Sequence, residues 1–197
     1  MKICWFMAAA LLLTGCGRQE RREAVSLCQA LSQKQADLVA VNNLEKDLMA
    51  SVRPWCEGII SNGAGKGKTL EENAESAKTL AMSASDVATQ LSHLRQPIYD
   101  LPLHQEYPQS VRSTLINKIM QRQKKLQEIR IALDASAAGF LDFSRSRDYK
   151  GDTYPAAIDK LNNLTSGYTA PEDALGKAVS DLKTKYTLTD VDLAGRT

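Results

Sequence analysis

From Thr69 to Gln96 the chain repeats its apolar residues on a seven-residue period. Leu70, Ala77, Ala84 and Leu91 share one column, Leu80, Val87 and Leu94 another, and Ala74, Ala81 and Ala88 flank them. That spacing marks one face of a helix, and alanine along the face lets neighbouring helices approach closely. A stripe of this kind has to be buried against other helices at the shallow crossing angles of coiled-coil-like packing. Thr69-Leu70-Glu71-Glu72 has the pattern of a capping box at the helix start. Pro97 predicts the end at Gln96, because proline clashes with a continuing helix and disfavours helical geometry in the residue before it.

Two further segments carry comparable stripes. Residues 20–53 place Ala24, Leu27, Leu31, Leu38, Val41, Leu48 and Val52 at spacings of three, four and seven, with Pro54 as the predicted stop. A third helix is predicted from about Pro108, a residue suited to a first helical turn. It carries Leu115, Ile119, Leu126, Ile129, Leu133 and Phe140. Arg112, Arg122 and Ser136 fall on the same seam, which implies either a partly wetted interface or a phase shift recruiting Ile116 and Met120. After the break at Gly151-Asp152-Thr153 two shorter helices are predicted, about 154–164 and 171–186. The second has a capping-box pattern at Thr169-Ala170-Pro171-Glu172 and a stripe of Leu175, Val179, Leu182 and Tyr186.

No strand-like alternation competes with these stripes. Only three Phe and two Trp occur in the chain, so alanine and leucine carry the apolar content, a composition that favours helix packed on helix. The expected fold class is all-α: an antiparallel bundle of three long helices with two shorter C-terminal helices. The expected organisation is a leader over 1–15, a tether over 16–22, one bundle domain over 23–186 and a frayed tail over 187–197.

The leader follows from the first sixteen residues. Lys2 is a positive n-region, Trp5 to Leu13 form an apolar run too short to span a bilayer, and Leu13-Thr14-Gly15-Cys16 closes it. This tetrad resembles the lipobox of bacterial lipoproteins, with small residues before a cysteine that receives lipid. The resemblance covers the targeting segment alone. It implies removal of 1–15, acyl chains such as palmitate on Cys16, and the membrane as a partner through that lipid. Each buried methylene contributes about 0.8 kcal/mol, so two or more chains anchor stably. In Gram-negative lipoproteins an aspartate after the lipidated cysteine retains the protein at the inner membrane. Gly17 stands there, so the resemblance implies the periplasmic face of the outer membrane. Arg18, Arg21 and Arg22 alternate with Glu20 and Glu23 and read as a solvated tether.

Cys28 and Cys56 remain after Cys4 and Cys16 are accounted for. An exported compartment favours a disulfide, but a bridge needs Cα atoms within about 7 Å. A continuous helix over 28–53 would separate its ends by nearly 40 Å, taken from a rise of about 1.5 Å per residue. A hairpin at Asn42-Asn43 would reconcile the two. The apolar stripe runs through that point without a slip, so the expectation is an unbroken helix with unpaired or intermolecular thiols.

Gly63-Ala64-Gly65-Lys66-Gly67-Lys68-Thr69 looks like a phosphate loop, but Asn62 occupies the position of the first Walker glycine and no strand is predicted before it. It reads as a connector capped by Thr69. His93 and His104, the only histidines, would need Asp100 or Glu106 to complete a zinc site, and no motif fixes that geometry, so no metal set is assigned. Cys-x-x-Cys-His is absent, as are Gly-x-Ser-x-Gly and His-Glu-x-x-His. No cofactor and no catalytic residues are assigned, and the chain reads as a non-enzyme. A net charge of +2, including Lys2 of the leader, supplies no electrostatic footprint for nucleic acid.

The expected function is that of a membrane-anchored envelope adaptor or accessory subunit that binds a protein partner. An immunity or inhibitor lipoprotein acting on a toxin or cell-wall hydrolase is the alternative, and a small ligand carrier or enzyme a third. Arg53, Trp55, Leu175 and Tyr186 are the candidate partner-binding residues, Trp55 serving as either a core plug or an interface anchor. An unbroken first helix would gather Trp55, the glycine-rich connector and the C-terminal helices away from the lipid, with the Pro97–Leu103 connector facing the membrane. That connector, rich in proline and apolar residues, reads as a cap on the bundle core. A second copy could also complete the seam, as a homo-oligomer.

Overall fold

The structure, a computed structural model, describes the backbone of residues 3–63, 68–145 and 153–194, and their side chains from Gly17 onward except that of Thr153. It is an all-α bundle with α1 (Ile3–Gln33), α2 (Gln35–Asn62), α3 (Leu70–Tyr99), α4 (Glu106–Arg145), α5 (Thr153–Ser166), α6 (Ala174–Tyr186) and α7 (Asp190–Leu193). No strand occurs among the described residues. The glycine-rich segment 64–67 and the break at 151–152 lie outside them.

The stripe over residues 20–53 is buried along its whole length, Ala24, Leu27, Leu31 and Val52 completely. Its helix has one interruption, at Lys34, whose amide is shared between the carbonyls of Ala30 and Leu31 at 3.3 and 3.1 Å. The ladder resumes when Leu38 donates to Lys34 at 3.0 Å. Asn42 and Asn43 lie inside α2, so no hairpin forms there, and Cys28 and Cys56 are both buried free thiols.

Both proline stops are overturned. α2 passes through Pro54 and continues to Asn62, and α3 passes through Pro97 to Tyr99. Interior proline costs about 3 kcal/mol. The residues beyond it repay that cost by burial: Cys56 and Ile59 after Pro54, Ile98 after Pro97. Each buried aliphatic side chain contributes about 1.5–3 kcal/mol. α2 then ends on Gly63, whose φ of 77° is the left-handed geometry of a helix stop and whose amide bonds Ile59.

The chain divides into two compact units. The first combines residues up to Leu38, Leu94–Ile119 and the segment from Glu172 onward. In it α6 and α7 pack against α1, with Leu27, Leu31, Leu175 and Leu182 in the core. Of the predicted C-terminal helices, α6 therefore shares a unit with α1 and the Pro97–Leu103 connector, whereas α5 belongs with Trp55 to the other. Ile98 and Leu103 of that connector are buried, which gives it the core-capping role. The expected cap at Thr169 falls instead on Asp173, whose carboxylate accepts the Gly176 amide at 2.8 Å. Aspartate is the better N-cap. Of the tail over 187–197, residues up to 194 are described: Thr189 and Asp192 form a reciprocal capping box at α7, Arg21 pairs with Asp192 at 3.1 Å, and Gln29 donates to the Leu193 carbonyl at 2.9 Å.

The second unit combines Val39–His93 with Met120–Pro171. Its core is formed by residues such as Val52, Ala77, Leu91, Ile129, Leu133 and Phe140. Thr69 and Glu72 make the capping box, each side chain bonding the other's amide at 3.1 and 2.7 Å. Gly139 on α4 meets Tyr154 on α5 so closely that a Cβ there would lie 2.7 Å from the tyrosine Cβ. The Tyr154 ring then stacks on Phe140 at a centroid distance of 5.0 Å.

Candidate partner-binding groove

Within the second unit α2 and α3 run antiparallel, Leu44 lying near Gln90 and Trp55 near Glu72, with an open seam between them. Two adjoining hollows follow this seam and share Ser51 and Leu80. One of about 600 Å³ holds Trp55, Lys68 and Thr79; the other, about 280 Å³, holds Leu44, Ser83 and Asp86. The groove exists because the α3 face is lined with small residues. Ser76, Thr79 and Ser83 do not fill the space beside α2, and their hydroxyls bond back to carbonyls one turn earlier. Leu48 and Val87 form a buried floor and Leu80 is half exposed above it.

The rim is acidic. Asp47, Glu72, Glu75 and Asp86 are exposed carboxylates along it, against one lining cation, Lys68, whose ammonium sits 3.4 Å from the Ser76 hydroxyl. Glu72 is held by its capping box, and Glu75 has Lys78 at 3.8 Å.

Trp55 contributes to core and groove together. Its ring stands edge-on to Phe140 at 6.1 Å and 90°, while part of it lines the larger hollow. Its Nε1 is buried and has no hydrogen-bond acceptor among the described residues. Arg53 is exposed, does not line the groove, and pairs with Glu57 along the same helix at 2.9 Å.

Leu175 and Tyr186 belong to the first unit. Leu175 is 1 % exposed and part of the core, so it presents no surface to a partner. Tyr186 is half-buried: its hydroxyl donates to Glu20 at 2.7 Å and its ring meets Tyr107 at 6.0 Å, with the Lys185 ammonium 3.2 Å from the Tyr107 centroid. Nearby, the buried Glu23 accepts the amides of His104 and Gln105, each at 2.8 Å, which pins the connector before α4. Burial pushes the Glu23 carboxyl up, but these two amides, Gln19 and the positive side of His104 outweigh it and hold the group below its ordinary value. Cys16 falls within α1, its side chain outside the described residues.

The three polar residues on the α4 seam have separate roles. Arg112 donates to the Tyr99 and Leu101 carbonyls at the end of α3, Arg122 grips Glu45 and Asn42, and the buried Ser136 bonds the Ala132 carbonyl at 2.8 Å. Ile116 is buried beside them, whereas Met120 stays half exposed.

Burial pushes the Cys28 thiol up to about 11, with Lys183 opposing, and the Cys56 thiol up to about 12, with Glu57 adding to the effect. Both are thus held as neutral thiols near pH 7, the opposite of an activated nucleophile. His93 lines a hollow between α3 and α4 in one unit, and His104 sits in the connector of the other. Among the described residues no three His, Cys, Asp or Glu side chains converge as a metal site, and no helix is long and apolar enough to cross a membrane.

The groove acids and Glu23 were not among the sequence candidates. Leu44, Asp47, Ser51 and Trp55 fall at spacings of three and four, a second stripe beside the core stripe of α2, and that is the signal for the groove. Glu23 had none, because its partners are backbone amides some eighty residues away. Compared with known proteins, the chain matches no family model, no curated protein and no solved structure.

Proposed function

We propose that this chain is an envelope lipoprotein, held to the membrane by lipid on Cys16, that acts as a non-enzymatic adaptor for a protein partner. The observation that carries the reading is the tetrad Leu13-Thr14-Gly15-Cys16 closing a short apolar leader. Gly17 in place of aspartate favours the outer membrane, with the polypeptide on the periplasmic side. Binding as the task is supported by the long groove beside Trp55, built from small side chains and rimmed by carboxylates. Elongated grooves between helices suit a protein segment better than a compact metabolite.

Chemical crosslinking in intact cells, followed by capture of the lipidated protein and mass spectrometry, tests this reading. One dominant envelope protein linked to the chain is the expected result. Recovery of self-crosslinks alone would overturn the adaptor role.

A further inference from the structure

We propose that the α2–α3 groove receives a basic amphipathic helix from the partner protein, an inference that rests on the adaptor reading above. Three features select this occupant. The first is length. From Glu72 to Gln90 the α3 wall runs about 27 Å at a rise of about 1.5 Å per residue, or roughly five helical turns. A segment of some eighteen residues in helical form fits that span.

The second is the floor. Leu48 and Val87 are buried with Leu80 half exposed above them, beside an α2 wall of Leu44, Asp47, Ser51 and Trp55 and an α3 wall of Ser76, Thr79 and Ser83. A backbone can come close over such small residues, and apolar side chains spaced three and four apart can reach the floor, as in other helix-in-groove docking. An extended strand finds no free sheet edge here among the described residues.

The third is charge. Asp47 and Asp86 face the groove from opposite walls, and among the described residues neither has an ion-pair partner. Glu72 and Glu75 extend the same sign toward Trp55, opposed by Lys68 in the groove lining and by Lys78, which pairs with Glu75 at 3.8 Å. Lysine or arginine flanking the apolar stripe of the incoming helix would complement this rim, while an acidic helix would be repelled. The rim sets selection and encounter rate; the floor and Trp55 supply the buried contact.

The test places a photocrosslinking residue at Ser83 inside the groove and, separately, at Ser113, an exposed α4 position assigned to the other unit. Both run in cells, in the full lipidated chain. The expected product at Ser83 is one envelope protein, linked through a lysine- or arginine-rich amphipathic helix. Combining Asp47→Lys with Asp86→Lys should cut its yield about tenfold or more, and Asp47→Asn with Asp86→Asn less. Both pairs are exposed substitutions whose folding is checked by circular dichroism.

Unchanged yield after charge reversal overturns the proposal, as does a Ser83 crosslink to a second copy of this chain or to an acidic segment. Capture at Ser113 with Ser83 silent overturns the groove and leaves the adaptor reading standing. Silence at both positions, together with self-crosslinks alone in the chemical crosslinking of intact cells, overturns both.

Discussion

Arg122 on α4 grips Glu45 on α2, with Nη2 at 2.6 Å and Nε at 2.9 Å from the same carboxylate oxygen, and its Nη2 also donates to Asn42 at 2.8 Å. Glu45 is 5 % exposed, so its charge is tolerated only with this partner. Removing one half leaves a buried ion alone, whereas removing both removes the desolvation cost as well. Arg122→Met is expected to destabilise the fold by about 3 kcal/mol or more. Arg122→Met combined with Glu45→Leu should recover most of that loss, as read by urea denaturation in a double-mutant cycle.

Gly139 sits in the middle of α4, where propensity alone says alanine should stabilise by about 1 kcal/mol. The approach of Tyr154 reverses that sign, because the added methyl would meet the Tyr154 Cβ at 2.7 Å and its backbone nitrogen at 3.0 Å. Gly139→Ala is expected to cost about 1–3 kcal/mol through displacement of α5. A rise in melting temperature would show that α5 does not press on this point.

Thr187 closes α6 in the left-handed region, with φ 51° and ψ 49°, where a β-branched residue is strained. Its amide and the Leu188 amide bond the carbonyls of Thr184 and Lys183, so the conformation is held in place. Glycine adopts it freely. Thr187→Gly should therefore stabilise by about 1 kcal/mol, measured by thermal denaturation, while Thr187→Val should not.

Glu23 links stability of the first unit to pH. Its carboxyl lies below the ordinary value of 4.5 in the folded chain, so the folded state favours the ionised form. Its contribution is complete above the unfolded value and is lost as pH falls through the folded one. Acid should loosen the connector at His104 and Gln105, read as lower hydrogen-exchange protection factors of their amides, relative to the intrinsic rate at each pH, as pH falls below the ordinary carboxyl value of 4.5. Glu23→Gln should show that loosening at neutral pH and remove its pH dependence.

The helices were legible in the sequence because their information is local and periodic. Every predicted core position from Ala24 to Val52 is buried, as are Leu115, Ile119, Leu126, Ile129, Leu133 and Phe140. The Thr69–Glu72 cap was equally plain. Pro54 and Pro97 misled because their local cost competes with burial of Cys56 and Ile98, which only the packed fold displays. The division into two units, the docking of α6 and α7 on α1, and the pairing of Glu23 with distant amides depend on long-range contacts that no periodicity encodes. The groove lies between these cases: its stripe from Leu44 to Trp55 is visible, but the emptiness beside it follows from the small residues of α3.

Lipid on Cys16 is the premise from which location and partner capture follow, and mass spectrometry of the N-terminal peptide from membrane-extracted protein addresses it directly. The expected peptide begins at Cys16 and carries the mass of acyl chains, and Cys16→Ser should shift the protein out of the membrane fraction. A peptide that begins elsewhere, or an unmodified Cys16 at the start of the chain, would contradict the lipoprotein assignment and the adaptor function built on it.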